Sequence, residues 1–166
     1  MLTLEKWDES GFALLERCNT PEMTLYLGGP ESPEKLADRH RRYLNFAETG
    51  RDAWPQRVLL DGEPIGSIGY WDDETAFEMG WAIVPQYQGR GLATASVGLA
   101  LDHAAGNGLF DSVTANPGAA NLASNAVARS AGFVLEKTHE IEYPIGTMML
   151  ANLWRYDLAQ RQRGTN

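Results

Sequence analysis

The sequence predicts an α/β (α+β) domain of three layers, a mixed sheet with helices packed against it, and not a doubly wound parallel sheet. Three observations carry that reading. The first half is rich in hairpin signals, with apolar runs at 57–60 and 64–70 separated by Asp61-Gly62-Glu63. Mid-chain, an apolar strand ending at Val84 passes through Pro85 and a glycine-rich turn straight into an amphipathic helix. Beyond it, strand and helix signals alternate before the chain closes on strands. At 166 residues and 43% apolar composition, residues 1–166 form one domain with enough chain for a substantial core.

Taken in order, Leu2 to Leu4 reads as a short strand. Glu9 to Cys18 and Pro33 to Ala47 carry apolar residues at helical spacing and predict a helical pair above the sheet. Residues 19–31 between them are rich in Gly and Pro and predict a loop. Arg57 to Leu60 and Pro64 to Tyr70 form the hairpin, Asp72-Asp73-Glu74 turns, and Ala76 to Val84 is the next strand. Leu92 to Ala105 is helical, since Val97, Ala100, Leu101 and Ala104 fall at i, i+3, i+4 and i+7, and Gly106 and Gly108 stop it. Ser112 to Ala115 reads as a strand, Leu122 to Ala131 as a short helix ended by Gly132, and Phe133 to Glu140 as a strand. In the last strand Trp154, Tyr156 and Leu158 alternate on one face, and residues 161–166 read as a loose tail. There are no repeats and no low-complexity segments.

Composition narrows the partners. A formal charge of −8 argues against nucleic acid, while an acidic surface favours encounter with cationic amines. No run of about 18 apolar residues occurs, which predicts no membrane span. The opening Met1 to Lys6 lacks the basic-then-apolar order of a signal peptide. The single cysteine, Cys18, forms no internal disulfide and suits a reducing cytoplasm, the expected location. His40, His103 and His139 fall in unrelated elements without ligand spacing, so no metal is expected.

The most informative stretch is Ile83-Val84-Pro85-Gln86-Tyr87-Gln88-Gly89-Arg90-Gly91-Leu92-Ala93-Thr94. Gly89 and Gly91 remove Cβ atoms where a backbone takes positive φ or approaches a ligand closely. The open amides of the first helical turn, with the macrodipole behind them, make an anion site to which Arg90 adds charge. The physical reading is a cradle for a phosphate or diphosphate, although glycine-rich turns between strand and helix also occur without a ligand. The dinucleotide fingerprint fails at Thr94, where its third glycine would stand, and a Walker loop fails for want of Gly-Lys-Ser/Thr.

Gln88-Gly89-Arg90-Gly91-Leu92-Ala93 does match Gln/Arg-x-x-Gly-x-Gly/Ala at its fixed positions. Downstream stand Asn121-Leu122-Ala123-Ser124-Asn125 and Ala131-Gly132-Phe133. On these motifs the chain resembles the GNAT N-acetyltransferases from Leu2 to Tyr156, and most of all the RimJ/RimL-type branch, through Glu78-Met79-Gly80-Trp81 before the loop. The resemblance implies a GNAT-like mixed, mostly antiparallel sheet of about six or seven strands with helices on both faces. It implies acetyl-CoA as co-substrate, no metal, and direct transfer in a ternary complex to a primary amine, either a protein N-terminus or a small molecule. Gln88, Gly89, Arg90, Gly91, Ala93 and Thr94 would then surround the diphosphate. The backbone amides of Ile83 and Val84 would serve the pantetheine arm and the oxyanion, and Asn121 the pantetheine amide. Acceptor specificity would lie within residues 19–56.

Moving an acetyl group from a thioester to an amine requires a neutral amine, yet a lysine-like amine has pKa about 10 and an α-amine about 8. A general base therefore helps, as do donors for the oxyanion and a proton for the departing thiolate. Period-two alternation puts Phe77, Met79, Trp81 and Ile83 on one face and Glu78, Gly80, Ala82 and Val84 on the other. One acid among small residues, on the strand feeding the loop, makes Glu78 the candidate base; the alternative is a carboxylate facing solvent. The family's usual tyrosine acid would fall at Ala128, and no tyrosine lies between Tyr87 and Tyr143. The RimJ/RimL branch implies Ser124 as the donor instead, although Asn121 and Ser124 read equally well as a helix-capping pair.

The remaining candidates have plainer readings. Cys18 reads as core filler and not as a nucleophile. Arg39 to Arg42 reads as a solvated helix face, His103 as a surface residue, and Tyr26, Tyr43, Trp54 and Trp71 as core or as walls of an acceptor pocket. Other classes stay open: a non-catalytic acyl-CoA-binding or regulatory module, and a transferase of a longer acyl group. The sequence admits a homodimer as well as a monomer.

Overall fold

In the computed structural model, which describes residues 1–163, Asp61 and Gly62 both take positive φ, 52° and 86°. That two-residue turn matches the twist of the strands it joins. It pairs β2 (Ala53–Leu60) with β3 (Glu63–Asp72). With β1 (Leu2–Lys6), β4 (Phe77–Ile83), β5 (Ser112–Ala115), β6 (Val134–Glu142) and β7 (Met148–Asp157) they form one seven-stranded sheet, order β1-β2-β3-β4-β5-β7-β6. Every neighbouring pair is antiparallel except β4 and β5. This is the mixed, mostly antiparallel sheet the motifs imply.

The helices are α1 (Gly11–Cys18), α2 (Pro33–Thr49), α3 (Leu92–Asn107), α4 (Leu122–Ser130) and α5 (Ala159–Arg163). One core lies between the sheet and α3, where Val97, Ala100, Leu101 and Ala104 are fully buried against Ile68, Tyr70, Phe77 and Met79. A second lies on the opposite face, where Trp7, Leu14, Leu15 and Leu36 pack with Val84 under α1 and α2. Ser32 caps α2 by accepting from the Lys35 amide at 3.3 Å, with Pro33 at its first position.

Most element ends shift by one or a few residues from the sequence reading, and three of the differences are informative. Strand β2 begins at Ala53, ahead of the expected Arg57, and runs through Pro55. The Pro55 carbonyl accepts from Trp7 N–H at 3.2 Å, so its nitrogen faces β1 just past the last registered pair, Lys6 with Gln56. A missing N–H costs little there. Helix α3 continues through Gly106 and ends at Gly108, whose φ of 75° supplies the left-handed cap. Residues 161–163, expected as loose tail, belong to α5, and 164–166 lie outside the described residues.

The feature that positions the site is a fork. Strands β4 and β5 register only at Phe77 with Val113 and Glu78 with Thr114. Beyond these pairs β5 leaves β4, and the chain after each strand runs on into a helix, α3 or α4. Two helix N-termini therefore follow the carboxyl ends of adjacent parallel strands, the arrangement that makes ligand crevices in α/β sheets.

Candidate active site

Strand parity decides which amides the fork exposes. Val84 N–H donates to Ile65 C=O at 2.9 Å. Alternation in an antiparallel ladder then turns Ala82 and Gly80 toward β3, and Ile83 and Trp81 toward the gap left by β5. Of the two amides expected to serve the ligand, Ile83 faces the gap. The Val84 amide is already committed to the sheet, which corrects that assignment. Trp81, which sequence reasoning did not place here, faces the gap with Ile83. The Gln88 side chain has an internal role as well: its Nε2 donates to the Ile83 carbonyl at 2.7 Å and braces the strand end.

The loop has the conformation its glycines suggest. Gly89 and Gly91 take φ of 71° and 74°, values that penalise any residue with a Cβ. Among the described residues, no protein acceptor meets the amides of residues 89–94; the first amide bonded back is Ala95, to Gly91 C=O at 3.0 Å. Nothing lies within 4 Å of where a Cβ would stand at either glycine. Ala93 and Thr94 are half-buried in the first turn of α3, and exposed Arg90 stacks over the Tyr87 ring at 5.6 Å. Six open amides at a helix N-terminus with an arginine beside them fit a diphosphate such as that of coenzyme A.

Glu78 stands at the root of the fork. On its face of the sheet the cross-strand pairs are Ser67 with Ala82, Gly69 with Gly80 and Trp71 with Glu78. Small residues thus leave a channel above β4, and the Trp71 ring covers Gly80, 3.5 Å from where a Cβ would stand. Burial pushes the Glu78 carboxyl above its ordinary range. Asn116 Nδ2 opposes this by donating to Oε1 at 3.3 Å, Asp73 adds to the upward push, and the Trp71 indole opposes it. Asn116 is held in turn, its Oδ1 bonded to His139 Nε2 at 3.0 Å. Sequence reasoning missed both. Asn116 shares the parity of Thr114, a usable signal; nothing in the sequence ties His139 to this face.

On α4 the capping reading is realised, because Asn121 Oδ1 accepts from the Ser124 amide at 3.1 Å. Among the described residues, the Ser124 hydroxyl has no protein partner. Asn125 is the buried anchor of this segment. Its Oδ1 accepts from Asn152 Nδ2 and Trp154 Nε1, both at 2.8 Å, and its Nδ2 donates to the carbonyls of Gly118 and Asn121. Ala128, where the family tyrosine would fall, is fully buried in the core.

An open cleft of about 740 Å³ leads to this face. It lies between the α1–α2 connection, α2 and the β6–β7 turn, with Ser67 and Ala82 at its floor and Tyr43 and Tyr143 on its walls. The basic run on α2 is split and is not a uniform solvated face. Arg39 turns inward to Glu31 at 2.6 Å and Tyr43 Oη at 3.3 Å. His40 is buried between the Trp7 indole at 3.1 Å and Glu9 at 3.2 Å, and Arg41 and Arg42 are exposed. Trp54 is core, stacked on Tyr70 at 5.0 Å, whereas Tyr26 and Trp71 are exposed. His103 is exposed yet tied to the Tyr70 hydroxyl at 2.7 Å. Burial pushes the Cys18 thiol up to about 11, which suits filler better than a nucleophile. Among the described residues, no cluster of three His, Cys, Asp or Glu could hold a metal, and no helix is long and apolar enough to cross a membrane.

Known proteins share this architecture. An apo crystal form of RimL, the ribosomal L7/L12 alpha-N-protein acetyltransferase, superposes with TM-score 0.80 at 25% identity, covering 94% of this chain and 90% of that one. An acetyltransferase from Salmonella typhimurium that modifies the N-terminal serine of ribosomal protein L7/L12 gives 0.81 at 23%, with 94% of each chain covered. The aminoglycoside acetyltransferase AAC(6')-Ib in complex with coenzyme A gives 0.78 at 20%, covering 98% and 99%. The sequence profile of the acetyltransferase (GNAT) domain matches residues 1–134, most of the chain. Fold, forked strands and motif loop agree with that match, and the chain belongs to the GNAT acetyltransferase family.

Proposed function

We propose that this acetyltransferase works by direct transfer in a ternary complex, with Glu78 as general base and the amides of Ile83 and Trp81 as donors to the acetyl carbonyl. The observation that carries this is the convergence at one fork of open loop amides, two unpaired strand amides and a half-buried carboxylate. Acetyl-CoA, when bound, supplies the acetyl group as a thioester. Gly89 to Thr94 and Arg90 hold its diphosphate, and the nearby strand edge orients the arm. Glu78 takes the proton of the incoming amine, directly or through one water, and the strand amides favour the carbonyl oxygen as it gains negative charge. Ser124, with its free hydroxyl on the first turn of α4, gives a proton to the departing sulfur. Asn121 contributes its free amide nitrogen to the same arm.

The acceptor reading favoured by the cleft is an α-amine on a peptide. The charged residues lining the cleft are Glu31, Lys35, Arg39 and Glu142, with Glu31 paired to Arg39, so the walls carry no net negative charge to hold a polycation. An α-amine, with pKa about 8, also loses its proton to a carboxylate more readily than a lysine-like amine does. The lone cysteine fits a cytoplasmic setting. The test is a panel of peptide α-amines, lysine derivatives and aminoglycosides, following CoA release. Turnover confined to aminoglycosides would reverse the acceptor assignment, and an active Glu78→Ala enzyme would remove the base.

A further inference from the structure

Three strands contribute to one hydrogen-bonded line across the cleft face: Glu78 on β4, Asn116 just after β5, and His139 on β6. Strand β7 lies between the last two, and the residue opposite His139 in its register is Ala151, small and fully buried. That small residue leaves the imidazole room to lean across β7 toward Asn116. An asparagine amide has one accepting end and one donating end. With Oδ1 occupied by His139 Nε2–H, the donating Nδ2 is left facing Glu78.

Resting on the assignment of Glu78 as base, we propose that Asn116, oriented by His139, is a positioning residue that holds the Glu78 carboxylate toward the fork. The sequence places the three far apart, and the bonds link residues 38 and 23 positions from one another. Asn116 stands where β5 departs from β4, so it bridges the two arms of the fork as well as bonding the carboxylate. The other groups facing Glu78 are the Trp71 indole and Asp73, from β3 and the turn after it. Trp71 can restrain Glu78 from one side only. Without Asn116 the carboxylate is free to swing on its two outer torsions away from the gap. A donor to the charged form also favours ionisation, so its removal has a defined sign.

The test uses the full chain with carboxyl-labelled glutamate, the Glu78 resonance being assigned by its loss in Glu78→Gln. In Asn116→Ala the Glu78 titration midpoint moves up and kcat falls about tenfold to a hundredfold, while acetyl-CoA affinity holds. His139→Ala shifts both readouts in the same direction. His139→Gln, whose amide can donate to Asn116 Oδ1, returns both toward the parent. Turnover is measured with acetyl-CoA and the amine that the panel shows to react fastest. An inactive Glu78→Gln enzyme with unmoved midpoints in Asn116→Ala and His139→Ala overturns this inference alone. An active Glu78→Gln enzyme removes the base and the inference together. A fall in melting temperature with neither midpoint nor kcat altered marks the line as merely structural and also overturns it.

Discussion

Gly91→Ala separates the loop's observed role, a left-handed cap, from its proposed one, an anion cradle. Gly91 has φ of 74°, and a Cβ built there meets nothing within 4 Å, so the folded state suffers strain without collision. Alanine in the left-handed region costs about 1–2 kcal/mol. The stiffer unfolded chain offsets about 0.4–1 kcal/mol of that. Roughly 1 kcal/mol of net destabilisation remains, which lowers the melting temperature by about 2–4 °C in a domain of this size. Coenzyme A should lose far more. A hydrogen bond to a charged group contributes about 1.5–3 kcal/mol, and misaligning two of the amides between residues 89 and 94 weakens binding by about 3–6 kcal/mol. That is at least a hundredfold or so in Kd. Isothermal titration with coenzyme A measures it, and pantetheine, which lacks the diphosphate, is the control whose affinity stays put. A folded Gly91→Ala protein that binds coenzyme A as tightly as the parent would refute the cradle.

Glu78→Gln should lower kcat by about 10²–10⁴ and leave coenzyme A affinity unchanged. It should also raise the melting temperature at neutral pH. A raised folded-state value means that stability is lost as pH climbs from the ordinary carboxylate range through that value, so the gain should vanish below about pH 4, where both states are protonated. A gain that persists in acid would mean that burial of charge is not its source. Asn125→Ala leaves the Asn152 and Trp154 donors without their acceptor and should cost about 2–5 kcal/mol in urea unfolding; a loss under about 1 kcal/mol would show that the anchor is dispensable. Cys18, with its thiol pushed up to about 11, should label slowly with a disulfide reagent at pH 7.5 until the chain unfolds. Turnover of Cys18→Ala should stay within about twofold of the parent, and its loss would bring back a covalent route.

What could be read from the sequence follows from where each feature's determinants lie. The glycine loop is local and main-chain: Gly89, Gly91 and the helix start at Leu92 are contiguous, so residue types alone specify its conformation. The face carrying Glu78 was also legible, because parity within one strand needs no tertiary information. The fate of the Val84 amide was not. It depends on which residue of β3 lies opposite, and Ile65 is set there by the pairing of two strands. Charge patterning misled at Arg39 and His40 for a related reason. A run of basic residues reads as solvated, but α2 turns that side toward Glu31, Trp7 and Glu9, partners supplied by the segments before and after α1.

The site itself divides along the same line, and the sheet order explains the division. From β1 to β5, neighbours in space are neighbours in sequence, so hairpin signals and the βα turn suffice to place the loop beside β4. The last two strands reverse, with β7 inserted between β5 and β6. That reversal puts β7 between His139 and Asn116, and the small Ala151 opposite His139 leaves room for the two side chains to meet across it. The proposed role of a histidine on an edge strand thus depends on a small residue on a different strand and an asparagine just past the end of a third. Periodicity along one segment cannot encode such a relation. Main-chain chemistry in this protein is therefore written locally, whereas the side chains that tune its carboxylate are assembled by topology. Substitutions at Ala151 should accordingly disturb Glu78 without touching it: a bulkier residue at that register position would displace His139 and release Asn116.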